Sequence, residues 1–338
     1  LDLAPGQDIV DLSGNALPSG EPATDETYTL DNQAPGVALS GGPASTNGPF
    51  TASFTFDETV SGFDAGDITV GNGSLSGFMQ TGPNTYTALV TPTATGTVTI
   101  DVPAGGASDA AGNGNAAAAQ ATSQYDATPP GVAISGVPAQ SNAPFTATFT
   151  FDELVVGFGA GDIAVGNGSA SSFVQTGPTT YTALITPASD GTVTVDVPAG
   201  AAQDTAGNAS TAAAQATSQY DGTGPAVAIS GVPAVASGPF PATFTFDETV
   251  TGFDVADIVI GNGTASGFVQ TGPMTYTALI TPTADGTVTI DVPAGAAQDA
   301  FGNASTAAAQ ATTQFDATPP GVAISGVPAN ANGPFTTT

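Results

Sequence analysis

Apolar and hydroxylated residues alternate along much of this chain. In Phe50-Thr51-Ala52-Ser53-Phe54-Thr55-Phe56 every second side chain is apolar, and the same period runs through Thr97-Val98-Thr99-Ile100-Asp101-Val102. Successive side chains of a strand point to opposite faces, so this spacing predicts strands that bury one face only. The stretches Val37 to Ser40, Asp67 to Val70, Leu75 to Gln80, Thr85 to Thr91 and Ala116 to Tyr125 read the same way. Gly, Pro and Asn turns such as Gly71-Asn72-Gly73 separate them. The Ala run at 116–119 comes nearest to a helical pattern, but Thr122, Ser123 and Tyr125 follow it and place it in the last strand. Alternation also assigns Phe54, Phe56, Phe78 and Tyr86 to a core rather than to a carbohydrate platform.

The pattern recurs. Gly36-Val37-Ala38-Leu39-Ser40 returns from residues 131, 226 and 321, a constant step of 95 residues. Asp57-Glu58, Asp152-Glu153 and Asp247-Glu248 keep that step, as do Tyr86, Tyr181 and Tyr276. A fixed period of this kind marks an array of like units. Three full repeats are expected at 32–126, 127–221 and 222–316. The C-terminal part of a diverged repeat would occupy 1–31, and the N-terminal strands of a further one 317–338. About seven short strands per period describe a two-sheet sandwich. The expected fold class is therefore all-β, as tandem immunoglobulin-like β-sandwich domains.

Composition removes most chemistry. The 338 residues include 29 acidic side chains and no Lys, Arg, His, Cys or Trp. A Ser-His-Asp triad, a Cys-His pair, a Schiff base and a thiolate nucleophile are all excluded. No disulfide or Lys-Asn crosslink can form. Imidazole and thiolate are missing, so a bound metal must be a hard cation held by oxygen, with Ca²⁺ the leading choice. A formal charge of -29 forbids side-chain salt bridges and opposes contact with nucleic acid or anionic lipid. Apolar residues make up 40%, enough to build cores. No apolar run of membrane-spanning length is present, and no trypsin site exists.

Comparison among the copies separates fixed acids from drifting ones. Asp64 and Asp254 become Gly159, and Asp190 and Asp285 become Thr95, which reads as solvated loop charge. Asp67 and Asp101 persist on what alternation makes an outer face, where they serve solubility and edge protection. In an immunoglobulin-like sandwich the loop after the second strand, the loop before the last strand and the incoming linker share one pole. That geometry gathers Asp31, Asp57, Glu58, Asp109 and Asn113 at one junction. Asp126, Asp152, Glu153, Asp204 and Asn208 meet at the next, and Asp221, Asp247, Glu248, Asp299 and Asn303 at a third. Unpaired carboxylates so placed repel one another, and a Ca²⁺ ion would resolve the conflict. The competing reading is that Asp-x-x-Gly-Asn is a good turn without any metal.

The repeat resembles the bacterial Ig-like domains of large surface adhesins and biofilm matrix proteins. The resemblance rests on Asp126-Ala127-Thr128-Pro129-Pro130 at a junction, Phe56-Asp57-Glu58, and Gly62-Phe63-Asp64-Ala65-Gly66-Asp67-Ile68-Thr69-Val70. Tyr86-Thr87-Ala88-Leu89-Val90-Thr91-Pro92 and Asp109-Ala110-Ala111-Gly112-Asn113 complete it. It implies an extracellular, rod-like part, often with calcium at the junctions. Pro in the linker restricts its backbone and makes the junction stiff before any ion binds. The expected function is a non-enzymatic stalk, with neighbouring repeats of the same or adjacent chains as partners. The alternatives are a filament subunit completed by strand addition from another chain, and an accessory module of a secreted hydrolase. A carboxylate-pair glycosidase within the chain is the least favoured.

Overall fold

The computed structural model describes residues 10–16 and 29–337. Most of the stretch expected to end a diverged repeat, residues 1–9 and 17–28, lies outside the described residues, as does Thr338. The chain falls into two compact units, Leu1–Pro129 with Gln203–Ala209, and Pro130–Ala202 with Ser210–Thr338.

The first repeat is an all-β sandwich. Its strands are β1 (Val37–Ser40), β2 (Ser45–Thr46), β3 (Phe50–Phe56), β4 (Thr69–Gly71), β5 (Gly73–Gln80), β6 (Thr85–Pro92), β7 (Gly96–Asp101) and β8 (Ala121–Tyr125). One sheet has the order β1-β3-β6-β5 and the other β2-β8-β7-β4. All pairs are antiparallel except β2 with β8, which runs parallel with Ser45 opposite Gln124. The second and third repeats reproduce both sheets 95 residues further on each time.

The structure adds one strand to the expected seven, because the chain crosses between sheets at Gly41-Gly42-Pro43 and so splits the first strand in two. Ala116 to Gln120 is not in the last strand, which begins at Ala121. Ala116 and Ala118 are instead tied singly, each donating its N–H to the carbonyls of Pro35 and Val102. Asp67 does not begin a strand either, since Ala65–Asp67 is a single 3₁₀ turn. Gly71-Asn72-Gly73 is the corner where the chain passes from one sheet to the other, and Asn72 sits at φ 54°. Asn tolerates that left-handed conformation better than most residues. Residues 317–337 form no strand, although Val322-Ala323-Ile324-Ser325 repeats the sequence of Val132–Ser135. A strand is stable only against partners, and the partner strand of Val132–Ser135 is Phe145–Phe151.

Alternation delivers the core as expected. In β3 the burial runs strictly every second residue, with Phe54 and Phe56 fully buried. Tyr86 is 5% exposed and Phe78 packs against the same cluster. The centre of that cluster is a residue from no strand. Phe63, in the loop after β3, makes edge-on contacts with Phe54, Phe56, Phe78 and Tyr86 at centroid distances of 5.8, 5.0, 5.5 and 5.1 Å. Such pairs each add about 0.5–1.5 kcal/mol beyond burial. Phe158 and Phe253 do the same in the other repeats. No helix among the described residues is long and apolar enough to cross a membrane.

Phe63→Ala should therefore destabilise the first repeat by about 3–5 kcal/mol, read as loss of one unfolding transition's midpoint in denaturant. A second expectation concerns the bulge in the fifth strand, where Gly77 and Gly267 have φ 57° and 59° but the second repeat carries Ser172 at φ 51°. Ser172→Gly should stabilise that repeat by about 1 kcal/mol, because the left-handed conformation costs a non-glycine residue about that much. Unchanged melting would contradict it.

Candidate metal centres

The loop before the last strand builds itself. Asp109 takes the Asn113 backbone N–H on Oδ1 and the Asn113 side-chain amide on Oδ2, at 2.8 and 2.7 Å. The Asp109 N–H donates to the Asn113 carbonyl. Asp299 and Asn303 repeat the arrangement, as do Asp204 and Asn208. A further copy stands at Asp11 and Asn15, which the 95-residue register does not reveal because its spacing has drifted. The turn thus forms wherever Asp-x-x-Gly-Asn occurs.

The asparagine amide also reaches the linker. Asn113 Nδ2 donates to the backbone oxygen of Asp31 at 3.0 Å. Asn208 does so to Asp126 at 2.8 Å, and Asn303 to Asp221 at 2.8 Å. These amides act as clamps between loop and linker. Their nitrogens are spent on hydrogen bonds.

Each linker aspartate is thereby held near the loop aspartate, and in the first and third copies Glu58 or Glu248 completes the group. Asp31, Glu58 and Asp109 offer oxygens all within 4.8 Å of one another, and Asp221, Glu248 and Asp299 do likewise. In the middle copy the corresponding residues fall in separate compact units: Asp126, Asp204 and Asn208 in the first, Asp152 and Glu153 in the second. Asp57, Asp152 and Asp247 have a different task from their neighbouring glutamates. Each accepts on Oδ1, at 2.8 Å, the N–H of Gly36, Gly131 or Ala226. That bond closes the open end of the first strand.

The carboxylates of a cluster are pushed in opposite directions. The side-chain hydrogen bond from Asn113 holds Asp109 below its ordinary value, against the upward effect of its own burial. For Asp299 burial is the largest single influence and acts upward, but the hydrogen bonds from Asn303, Phe301 and Gly302 together outweigh it. Glu58 is raised by burial and then by Asp109, Asp31 and Asp57. Glu248 is raised by burial and then by Asp299, Asp221, Asp247 and Asp190. One carboxylate is kept charged by its turn, and it makes its neighbour costly to ionise.

Several acids assigned from sequence to solvated loops are structural. Asp64 and Asp254 cap the 3₁₀ turn, accepting from Gly66 and Ala256 at 2.7 Å. Asp67 Oδ2 closes the same turn from its other end by accepting from the Asp64 N–H. Where Gly159 replaces the cap, Asp162 still accepts from the Gly159 N–H, so the turn survives. Asp190 accepts from the Gly222 N–H and the Thr223 hydroxyl, and Asp285 from Ala317 and Thr318, which ties the outgoing linker. Asp101 takes both its hydrogen bonds from Gln120. Residue types alone gave no sign of these partners, which for Asp190 and Asp285 lie 32 and 33 residues further along the chain.

The donor set fits a hard divalent cation. It is all oxygen, three carboxylates converge, and the glutamate among them is raised, first by burial and then by the carboxylates around it. A calcium ion takes oxygen ligands at about 2.3–2.6 Å and tolerates irregular, partly hydrated shells.

Comparison with known proteins follows the same lines. The model of the bacterial Ig-like domain matches residues 31–125, 126–220 and 221–315. Each match begins on the linker aspartate, one residue before the boundary expected from the repeat register. Asp221 shows why either division is natural, since its N–H donates to Ser141 of one repeat and its carbonyl accepts from Asn303 of the next. No curated protein matches the chain. Among solved structures, the Escherichia coli adhesin FdeC is similar at 16% identity, covering 86% of this chain and 100% of its own, with a TM-score of 0.36. Invasin, a bacterial integrin-binding protein, has 14% identity, coverage of 84% and 60%, and a TM-score of 0.35. InvD of Yersinia pseudotuberculosis has 15% identity, coverage of 84% and 97%, and a TM-score of 0.33. Values this low carry no argument about function. The family match spans most of the chain in three consecutive copies, and the chain belongs to the bacterial Ig-like domain family.

Proposed function

We propose that this chain is a stalk segment of an extracellular adhesin or matrix protein, with calcium bound at its junctional carboxylates. The observation that carries the reading is the linker between the second and third repeats, which is held from both sides. Asp221 donates to Ser141, Gly222 and Thr223 donate to Asp190, Asn303 donates to the Asp221 carbonyl, and Thr306 donates to Pro225. A linker bonded on both sides passes orientation from one domain to the next. Serial domains so joined serve extension rather than chemistry.

In this reading Asp31, Glu58 and Asp109 hold one ion, and Asp221, Glu248 and Asp299 another. Asn113 and Asn303 position their loop and linker aspartates. The ion would supply the positive charge that the chain itself lacks. Extracellular calcium modules bind at about 10⁻⁴–10⁻³ M, so the junctions would load outside a cell and not inside it.

Calcium at about 10 mM should stabilise the protein by about 1–3 kcal/mol over chelator-treated protein. Magnesium and NaCl at matched ionic strength should do less. Equal melting in calcium and chelator would remove the ion from the proposal. Glu248→Gln separates the two states. In chelator it should raise stability, because the charged glutamate is the unfavourable one, while the gain on adding calcium shrinks.

The pH dependence has a defined sign. A glutamate whose folded pKa is raised contributes stability that declines as pH rises from its ordinary 4.5 through the folded value. Metal-free protein should lose stability across that window, and Glu248→Gln should flatten the loss. A lowered aspartate such as Asp299 acts elsewhere, losing its contribution only as pH falls below 3.8.

A further inference from the structure

The first repeat differs from the others at one position in the chain's crossing between sheets. Gly42 stands where the second and third repeats have Val137 and Val232. Both valines pack against their own cores. Beside Gly42 lies a cavity of about 90 Å³, walled by Leu39, Phe50, Ala52, Ile100 and Ala121. A Cβ built on Gly42 would come within 3.3 Å of the Phe50 ring, so a side chain there points at that wall. Ser123 also lines the cavity. It is 3% exposed, and its hydroxyl has no hydrogen-bond partner in the protein. No ionisable group lines the space.

We propose that this cavity is a binding site for a small neutral alcohol of isopropyl size. Its volume lies between the roughly 10–15 Å³ that one water needs and the roughly 150 Å³ of an apolar cavity that accepts benzene. The missing valine side chain is itself an isopropyl group, which sets the shape of the apolar part. A charged ligand would lose its hydration against these walls with nothing to replace it. A hydrocarbon would leave the Ser123 hydroxyl unpaired, whereas an alcohol satisfies it. Ser218 and Thr313 are equally unpaired in the other repeats, but valine occupies the wall position there. A valine side chain thus stands in the second and third repeats where Gly42 leaves room in the first.

The test is a titration of the full chain with 2-propanol, followed by methyl NMR. Leu39 is replaced by Ile134 and Ile229 in the other repeats, so its methyl signals report the first cavity and the isoleucines serve as internal controls. The expected result is a saturable shift at Leu39 with none at Ile134 or Ile229. Gly42→Val should abolish it, with an unchanged signal from Ile68, buried in the same core, showing that the first repeat remains folded. Ser123→Ala should weaken binding roughly two- to tenfold. A response that is linear and equal in all repeats overturns the proposal, as does saturable binding that survives Gly42→Val. Unchanged affinity in Ser123→Ala overturns the assignment of the hydroxyl.

Discussion

A chain without a single cationic side chain must neutralise its carboxylates with neutral donors, and that constraint shapes the structure. Where another protein would place a lysine or arginine, this one places a glutamine, a threonine or a backbone N–H. Gln120, Gln215 and Gln310 each donate to the aspartate of the neighbouring strand, at Asp101, Asp196 and Asp291. Asp57, Asp152 and Asp247 use backbone N–H groups to close a strand end. Hydrogen bonds to a charged acceptor are worth about twice those between neutral groups. Acid is therefore a structural material here, and the junctional clusters are the places where neutral donors run short.

That shortage is local and has a cause. The turn aspartate is stabilised as an anion by its own loop, the linker aspartate is drawn in by its backbone carbonyl, and the glutamate arrives from the next loop, where burial and the surrounding carboxylates raise Glu58 and Glu248. The asparagine amide is the hinge of the arrangement because one nitrogen serves two acceptors. Since it grips the linker through a backbone oxygen, the side chain of the linker aspartate is left to accept the N–H two residues on, from Gln33 at Asp31, Thr128 at Asp126 and Thr223 at Asp221.

Much of this was legible in the sequence. Strict alternation in β3 fixed which face is buried, and the 95-residue step located the counterparts within the three full repeats. Topology alone brought the right loops toward one pole, and the grouping of Asp31, Glu58 and Asp109 follows that placement. Phe63 was invisible because periodicity describes strands, and a loop residue that folds back into a core obeys no period. Asp64, Asp190 and Asp285 are exposed as expected, but variation among the copies concealed the hydrogen bonds they make. In fact Asp64 caps a turn that its glycine counterpart can do without, and Asp190 and Asp285 secure particular linkers. Asp57 and Glu58 are adjacent in sequence yet have different neighbours, since they lie in the bend that follows β3, with Asp57 bonded to Gly36 and Glu58 close to Asp31 and Asp109.

The parallel pairing of β2 with β8 has a mechanical consequence. β2 follows directly on the entering strand β1 and β8 leaves the repeat, so tension applied through the chain pulls β2 and β8 in opposing directions along their length. The bonds from Gln124 to Ala44 and from Asp126 to Thr46 lie across that pull and are loaded together rather than one after another. A sandwich with no covalent crosslink thus meets force first with a short shear-loaded ladder, placed where load enters and leaves each domain.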